Sequence, residues 1–599
     1  MGRAPEPRGL RVLVLGAALG VVLRAMLGAM LGGLLAGTLS AGLAPTAQAQ
    51  RILPGVRPGD AMPELQPFAP AAPPDTPILP PFPMPEPGGP AEIDTGASII
   101  VHEIRITGNT VLPAPVLADL TAPYTGRKLT FSDLATLRDR ITLAYVERGF
   151  VSSGATLPDQ AVENGVVEIR IIEGTLAEID VETSGRFRPA YFRKRIRKRI
   201  EAQQSGVLNI VHLREQLELF QLDPRIEKVQ ASLAPSAERG RSRLQVSVLE
   251  APFYGLSADF DNIRSPSIGA LGGGAQVRIA NAIGVGDQAS TRFAVSEGLR
   301  QFQAQFALPI NLSDTTLGAR YQYSRGDVVT GDFVGLGIQS ESQTVGFELR
   351  QPLKRSLQTT VSAFLQADWR RSQSFLFDGA IGLPTAYSDQ GISQVSVLRL
   401  GVDASYRTRS QSLAFRSQIS WGIDALGATR SSAGIPDGEF VSWLAQLQWA
   451  ARLPGTDAQL VARLDTQIAS APLLPLEQFS VGGLYTVRGY RENAAVRDNG
   501  LASSIELRLP IYQRRRPQVR VDLAPFLDVG RSWNDDERPG SLNASPLTLA
   551  SMGLGLRVGY ARWFQGEIYW GRRLKPIESP GSGDLQDDGI EFRLSVRWP

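Results

Sequence analysis

Two hydrophobic periods divide the chain. Between Ile100 and Leu249, apolar residues at helical spacing alternate with short β-branched runs. After Ala251 the helical spacing vanishes, and segments of about ten residues alternate apolar with polar or small side chains. Leu398, Leu400, Val402, Ala404 and Tyr406 interleave with Arg399, Gly401, Asp403, Ser405 and Arg407. The same period runs through Ile505, Leu507, Leu509 and Ile511, and through Ile590, Phe592, Leu594, Val596 and Trp598. Sixteen such segments lie between 252–260 and 588–598. Connections after odd segments are mostly long (261–273, 325–341, 370–393, 425–439, 469–500, 531–548, 572–587), and those after even segments are nearly all five residues or fewer. This parity predicts a 16-stranded antiparallel transmembrane barrel over 251–599, with short periplasmic turns and long external loops. A large soluble β-sandwich could alternate too, but it would not need the loop parity, nor all eight tryptophans in this region.

The upstream region repeats one order of elements. Ile100, Val101, Ile104 and Ile106 predict a strand ending at Gly108-Asn109, followed by a short helical stretch at Val116–Leu120. A longer helix is then signalled by a capping box of Thr130 with Asp133, by Leu134, Leu137, Ile141 and Tyr145 on one face, and by Gly149 as terminator. Phe150–Leu157 and Val166–Ile172 read as strands. The order recurs in Leu176–Val181 (strand), Pro189–Glu201 and Val211–Leu222 (helices), and Ile226–Leu233 and Leu244–Leu249 (strands). Self-similarity at roughly 75 residues predicts two tandem α/β modules, 98–174 and 175–250. The basic run Arg193–Arg199 lies on a predicted helix with Ile196 and Ile200 inward, and reads as a solvated face rather than a nucleic-acid site.

The N-terminus carries an address. Arg3, Arg8, Arg11 and Arg24 precede an apolar run from Ala25 to Gly37, with Ala47-Gln48-Ala49 as a small-residue cleavage site. Residues 1–49 therefore read as a secretory signal peptide, with a later start or an uncleaved anchor left open by the second apolar run Val12–Leu23. Fourteen prolines between Arg51 and Pro90 make 50–97 an extended tether, most simply a solvated spacer.

Composition then narrows the chemistry. Among 599 residues there is no cysteine and only two histidines, His102 and His212, which excludes thiolate chemistry and disfavours zinc, iron–sulfur and imidazole sites. A formal charge of +3 gives no field suited to nucleic acid. No catalytic motif stands in its structural context, so neither catalysis, a metal nor a cofactor is expected.

Particular residues carry a family resemblance. Tyr145–Gly149, Ala155–Gln160 and Gly165 through Glu173-Gly174 resemble the first polypeptide-transport-associated (POTRA) module of a two-partner secretion transporter. The longest external loop holds Val487-Arg488-Gly489-Tyr490, and two strands on stands Phe526-Leu527-Asp528-Val529-Gly530. Together they are similar to the paired motifs of the hemolysin-activator and filamentous-haemagglutinin-transporter family, within the outer-membrane assembly superfamily. Asp261-Asn262 and Asn281 through Gly286-Asp287 are family-like as well, and Trp598 resembles a terminal assembly signal, although Pro599 departs from that pattern.

The resemblance implies that loop 469–500 folds into the lumen, with Arg488 engaging Asp528 on the wall. It also implies an outer-membrane location, POTRA modules in the periplasm, and barrel assembly machinery during biogenesis. The function it implies is secretion of a large unfolded exoprotein through the barrel without nucleotide hydrolysis. An assembly factor inserting other barrels is the alternative, and a passive porin would have no use for the modules. The proline-rich segment offers no good helix for the pore plug that such transporters often carry.

Overall fold

The computed structural model describes residues 78, 79, 98–202, 206–331, 334–383, 385, 388–431, 435–535, 546–577 and 583–598. The signal peptide, the tether apart from Ile78 and Leu79, any plug, and Pro599 lie outside the described residues. The chain forms two compact units. One ends at Phe253 and includes Ala280–Asp287, and the other comprises Tyr254–Ile279 and the chain from Gln288 on.

In the first unit, residues 98–172 supply β1 (Ser98–Val101), β2 (Glu103–Thr107), α1 (Ala114–Thr121), β3 (Arg127–Thr130), α2 (Phe131–Glu147), β4 (Gly154–Thr156) and β5 (Val166–Ile172). Residues 175–250 supply β6 (Thr175–Thr183), α3 (Pro189–Glu201), α4 (Ile210–Gln221), β7 (Ile226–Pro235) and β8 (Arg241–Glu250). The repeat extends to topology. β2 runs parallel to β5 with β4 antiparallel at the far edge, and β6 runs parallel to β8 with β7 antiparallel at the far edge.

Helix α2 starts where Thr130 and Asp133 exchange hydrogen bonds. The Thr130 hydroxyl accepts from Asp133 N at 3.2 Å, and the Asp133 carboxylate accepts from Thr130 N at 2.8 Å. One face then buries Leu134, Leu137, Ile141 and Tyr145. The Tyr145 hydroxyl donates within a polar knot, with Asn109 Oδ1 at 2.6 Å and Glu173 Oε1 at 3.1 Å, and Glu173 accepts from Thr110 N at 2.7 Å. Burial and the adjacent Glu173 carboxylate push the Tyr145 phenol up from its ordinary pKa. The motif residues Tyr145 and Glu173 are thus a structural tie between helix and sheet.

Gly149, at φ +90°, ends the helix and touches the second module. A Cβ there would lie 2.8 Å from Asn209 Oδ1, and Gly149 O accepts from Ile210 N at 2.9 Å.

Several expectations are corrected. The strand over Ile100–Ile106 is two strands, because His102 N and Glu103 N both donate to Gly165 O and β1 leaves to pair with β3. The strand over Phe150–Leu157 shrinks to Gly154–Thr156, its first half being a turn closed by Ser153 N to Phe150 O. Arg195 is not on a solvated face, since it is buried with its guanidinium 3.7 Å from the Tyr191 ring centroid. Ile78 and Leu79 are not solvated spacer either, for both are buried in the core of the second module.

In the second unit sixteen strands among the described residues close into an antiparallel barrel, the first (Tyr254–Asp261) pairing with the last (Ile590–Trp598). Polarity is inverted relative to a soluble protein. Leu400 is 49% exposed while its neighbour Arg399 is 3% exposed, as lipid outside and polar groups inside require. Asn262 fastens the closing seam, donating to Ile590 O at 2.9 Å and accepting from Phe592 N at 2.7 Å. Trp598 stands at that seam opposite Leu256 with its side chain exposed outward. At Ile511 the strict alternation fails, because the ladder to the thirteenth strand (Gln518–Trp533) shifts register between Pro510 and Tyr512 and leaves Ile511 and Tyr512 both exposed. Loop parity also has one exception, a two-residue connection at Glu297-Gly298 between the third and fourth strands.

Candidate functional site: a loop held against the inner barrel wall

Between the eleventh strand (Gln459–Ala469) and the twelfth (Asn499–Arg515) the chain turns inward. Its base is a short hairpin in which Phe479–Val481 pairs with Ala495–Arg497, every residue buried. Gly482 and Gly483 open the tip, and Val487, Arg488, Gly489 and Tyr490 follow, with Val487 and Tyr490 wholly buried.

Arg488 meets Asp528 at three points. Its backbone N, Nε and Nη2 donate to the carboxylate at 3.0, 2.8 and 2.9 Å. Nη1 donates to Glu506, and Nη2 also to Ser504 Oγ at 2.9 Å. The guanidinium lies 3.7 Å from the Phe526 ring centroid and 4.7 Å from that of Tyr569. Asp528, Glu506 and Ser504 face the lumen because the period of two turns Leu527, Val529 and Ile505 outward. A charge so placed is costly to bury alone, and here one guanidinium is shared by two carboxylates and stacked on an aromatic face.

The neighbouring residues let the loop approach. Gly489 has φ +87°, and a Cβ there would lie 2.5 Å from Gly571 O, so backbone packs on backbone. The Tyr490 hydroxyl lies 2.8 Å from Ala550 O and 2.7 Å from Lys575 O. Gly530 leaves room for Val481 and Val487, whose methyl carbons would lie 2.3 and 2.7 Å from a Cβ at that position. Gly530→Ala should therefore lift the loop from the wall, measurable as faster protease cleavage within 470–498. Gly559→Ala, where a Cβ meets nothing within 4 Å, should leave cleavage unchanged.

A second fastening was not foreseen from the sequence. Glu477, near the start of the loop, accepts from Arg370 Nη1 at 2.9 Å and from Arg399 Nη2 at 2.7 Å on each oxygen. Arg399 also pairs with Asp368, which in turn meets Arg320 at 2.7 Å. These partners come from the fifth (Thr316–Asp327), seventh (Thr359–Leu376) and eighth (Ile392–Arg407) strands, whereas Arg488 grips the twelfth and thirteenth. The loop is thus tied to two separate sectors of the wall. Alternation marks Arg399 and Glu506 as lumen-facing, but Glu477 sits in an aperiodic segment with nothing to single it out.

A family model for haemolysin secretion/activation proteins ShlB/FhaC/HecB matches residues 240–558, and one for the ShlB-type POTRA domain matches residues 99–174. The chain belongs to the haemolysin secretion/activation family. It is a bacterial outer-membrane β-barrel protein of the two-partner secretion type, with POTRA modules that belong to the periplasm.

Members with similar sequences include the outer membrane transporter CdiB of Dickeya dadantii, 27% identical over 497 residues, covering 78% of this chain and 85% of that protein. The heme/hemopexin transporter protein HuxB of Haemophilus influenzae is 22% identical over 488 residues, covering 79% and 83%. The family fold is shared with CdiB from Escherichia coli at a TM-score of 0.63 and 21% identity, covering 86% of this chain and 94% of that one.

Proposed function

We propose that this family member captures one unfolded exoprotein in the periplasm through its modules and passes it outward through the barrel. The observation that carries this reading is the loop. It holds two groups of buried charges against the inner wall, an arrangement that resists solvent and can still exchange partners when something enters the conduit. Relatives named as transporters support the same direction. The charges described here hold a loop rather than attack a substrate, so the protein acts as a conduit and not as a catalyst. The driving force is folding of the exoprotein outside the cell, with no nucleotide consumed. Outer-membrane lipid surrounds the barrel, and the barrel assembly machinery inserts it.

The modules are suited to capture because each ends its sheet on an edge strand, β4 or β7, to which an extended polypeptide can add as a strand, Ile78 O taking the Ala231 N–H of β7. The test is deletion of residues 98–250 in the native bacterium, with large exoproteins released to the medium as the readout. Exoprotein in the medium should fall at least tenfold while barrel conductance persists. Undiminished release would overturn the reading, and a fall in other outer-membrane proteins instead would favour an insertion factor.

A further inference from the structure

The one short external connection uncovers a stretch of the barrel's outer rim. Every other connection at that end is several times longer, whereas Glu297-Gly298 is a two-residue turn between the third strand (Gln288–Ser296) and the fourth (Leu299–Pro309). Just below this end, outward-facing side chains form two rungs across the fourth, fifth, sixth (Gln339–Arg355) and seventh strands. The upper rung places Arg300 opposite Arg325, and Arg325 opposite Glu341. The lower runs from Phe302 through Tyr323 and Gln343 to Arg371.

The rungs hold more positive charge than they balance. Like charges directly opposite on neighbouring strands repel, and Arg300 faces Arg325 in that way. Arg325 has Glu341 at 3.6 Å and donates to Gln339 Oε1 at 3.2 Å, while Arg371 donates only to Gln373 Oε1 at 3.4 Å. Arg300 has no hydrogen-bond or ion-pair partner among the described residues. Glu341 is the single carboxylate on these two rungs, Glu297 and Asp327 standing farther out. Toward the midplane the same face turns apolar, with Tyr321, Phe306 and Phe347 exposed and the Phe302 ring centroid 6.3 Å from that of Tyr321. Cations above an aromatic girdle stand at the depth of lipid headgroups.

A phosphate suits this place, because a guanidinium fork binds its oxygens in pairs and two arginines around one phosphate no longer repel. One phosphate leaves Arg371 unmatched. Arg300 and Arg371 lie three strand spacings apart, about 14 Å, the scale of a disaccharide with a phosphate at each end.

We propose that this rim is a docking site for a diphosphorylated glycolipid of the outer leaflet. One phosphate sits between Arg300 and Arg325, the other reaches toward Arg371, and the acyl chains lie along Phe306, Tyr321 and Phe347. This rests on the reading that outer-membrane lipid surrounds the barrel. It adds a fixed address and a chemical class to that lipid, and is independent of what the barrel transports.

The test is native mass spectrometry of the full chain in detergent, with diphosphoryl lipid A, its monophosphoryl form and phosphatidylglycerol as probes. Diphosphoryl lipid A should bind about tenfold more tightly than phosphatidylglycerol, with the monophosphoryl form between them. The double variant Arg300→Gln/Arg325→Gln should lose about that factor, and an excess of inorganic phosphate should not displace the lipid. Arg572→Gln, at an outward-facing arginine whose opposite residue is Met552, should change nothing. Heat-modifiable migration in gels shows that each variant is folded, and Arg300→Gln alone serves if the double variant is not. Equal binding of lipid A to wild type and variant, or displacement by inorganic phosphate, overturns the proposal. If phosphatidylglycerol binds as tightly as lipid A, lipid still surrounds the barrel and this site alone falls.

Discussion

Asp528→Ala is expected to lower exoprotein release at least tenfold while a folded barrel still reaches the membrane. The substitution removes three of the hydrogen bonds of Arg488 and leaves a buried guanidinium with Glu506 as its remaining carboxylate. Losing one partner of a buried pair costs about 3–5 kcal/mol. At about 1.4 kcal/mol per factor of ten, the docked loop loses about two to three and a half decades of preference over its undocked states. A loop that no longer returns to one position both obstructs the conduit and fails to seal it. Release should therefore fall while conductance in planar bilayers becomes larger and noisier. Asp528→Asn keeps an acceptor and the shape, and should show a smaller defect in both measurements. Wild-type release together with wild-type conductance from Asp528→Ala would remove the ion pair from any account of transport.

The parts of this molecule that the sequence made legible are those with a period or a motif. Every barrel strand carries its own alternation, so one side of Leu398–Tyr406 declares itself lipid-facing without reference to any other strand. The Arg488 and Asp528 segments were legible as a pair only because two short motifs are recognisable together. Where neither signal exists, reading stops. Glu477 is one acid in an irregular stretch, and its partners Arg370 and Arg399 lie more than seventy residues away in sequence, joined to it only by closure of the barrel. The β1–β3 pairing is similarly non-local, and the short segment Arg127–Thr130 had no length over which alternation could show. Ile78 and Leu79 were hidden for the opposite reason. The prolines around them signal an extended chain correctly, but an extended chain is also what a sheet edge accepts. The bulge at Ile511 shows the limit of period counting, since one extra residue reverses every face after it.

Glu477→Ala should produce the second large effect, and it separates the two fastenings. Arg370 loses its carboxylate and keeps its bond to Leu476 O, while Arg399 falls back on Asp368. Arg370, almost wholly buried, is then left with no carboxylate, and Arg399 shares Asp368 with Arg320, at a cost of about 3–5 kcal/mol. Because Arg488 still holds the tip, the first half of the loop should loosen before the second. Protease cleavage near 470–478 should rise at least tenfold while cleavage near 484–490 changes little. Combining Glu477→Ala with Asp528→Ala tests whether the loop docks as one body. If it does, both costs act on one docking equilibrium, so that cleavage in both halves responds to either variant and the double variant raises it by about the product of the single effects. If the two halves dock independently, each probe responds only to its own variant and the double adds nothing beyond them. Should Glu477→Ala alone leave cleavage, conductance and release unchanged, the loop is held by Arg488 alone, and the charges around Asp368 serve the barrel wall.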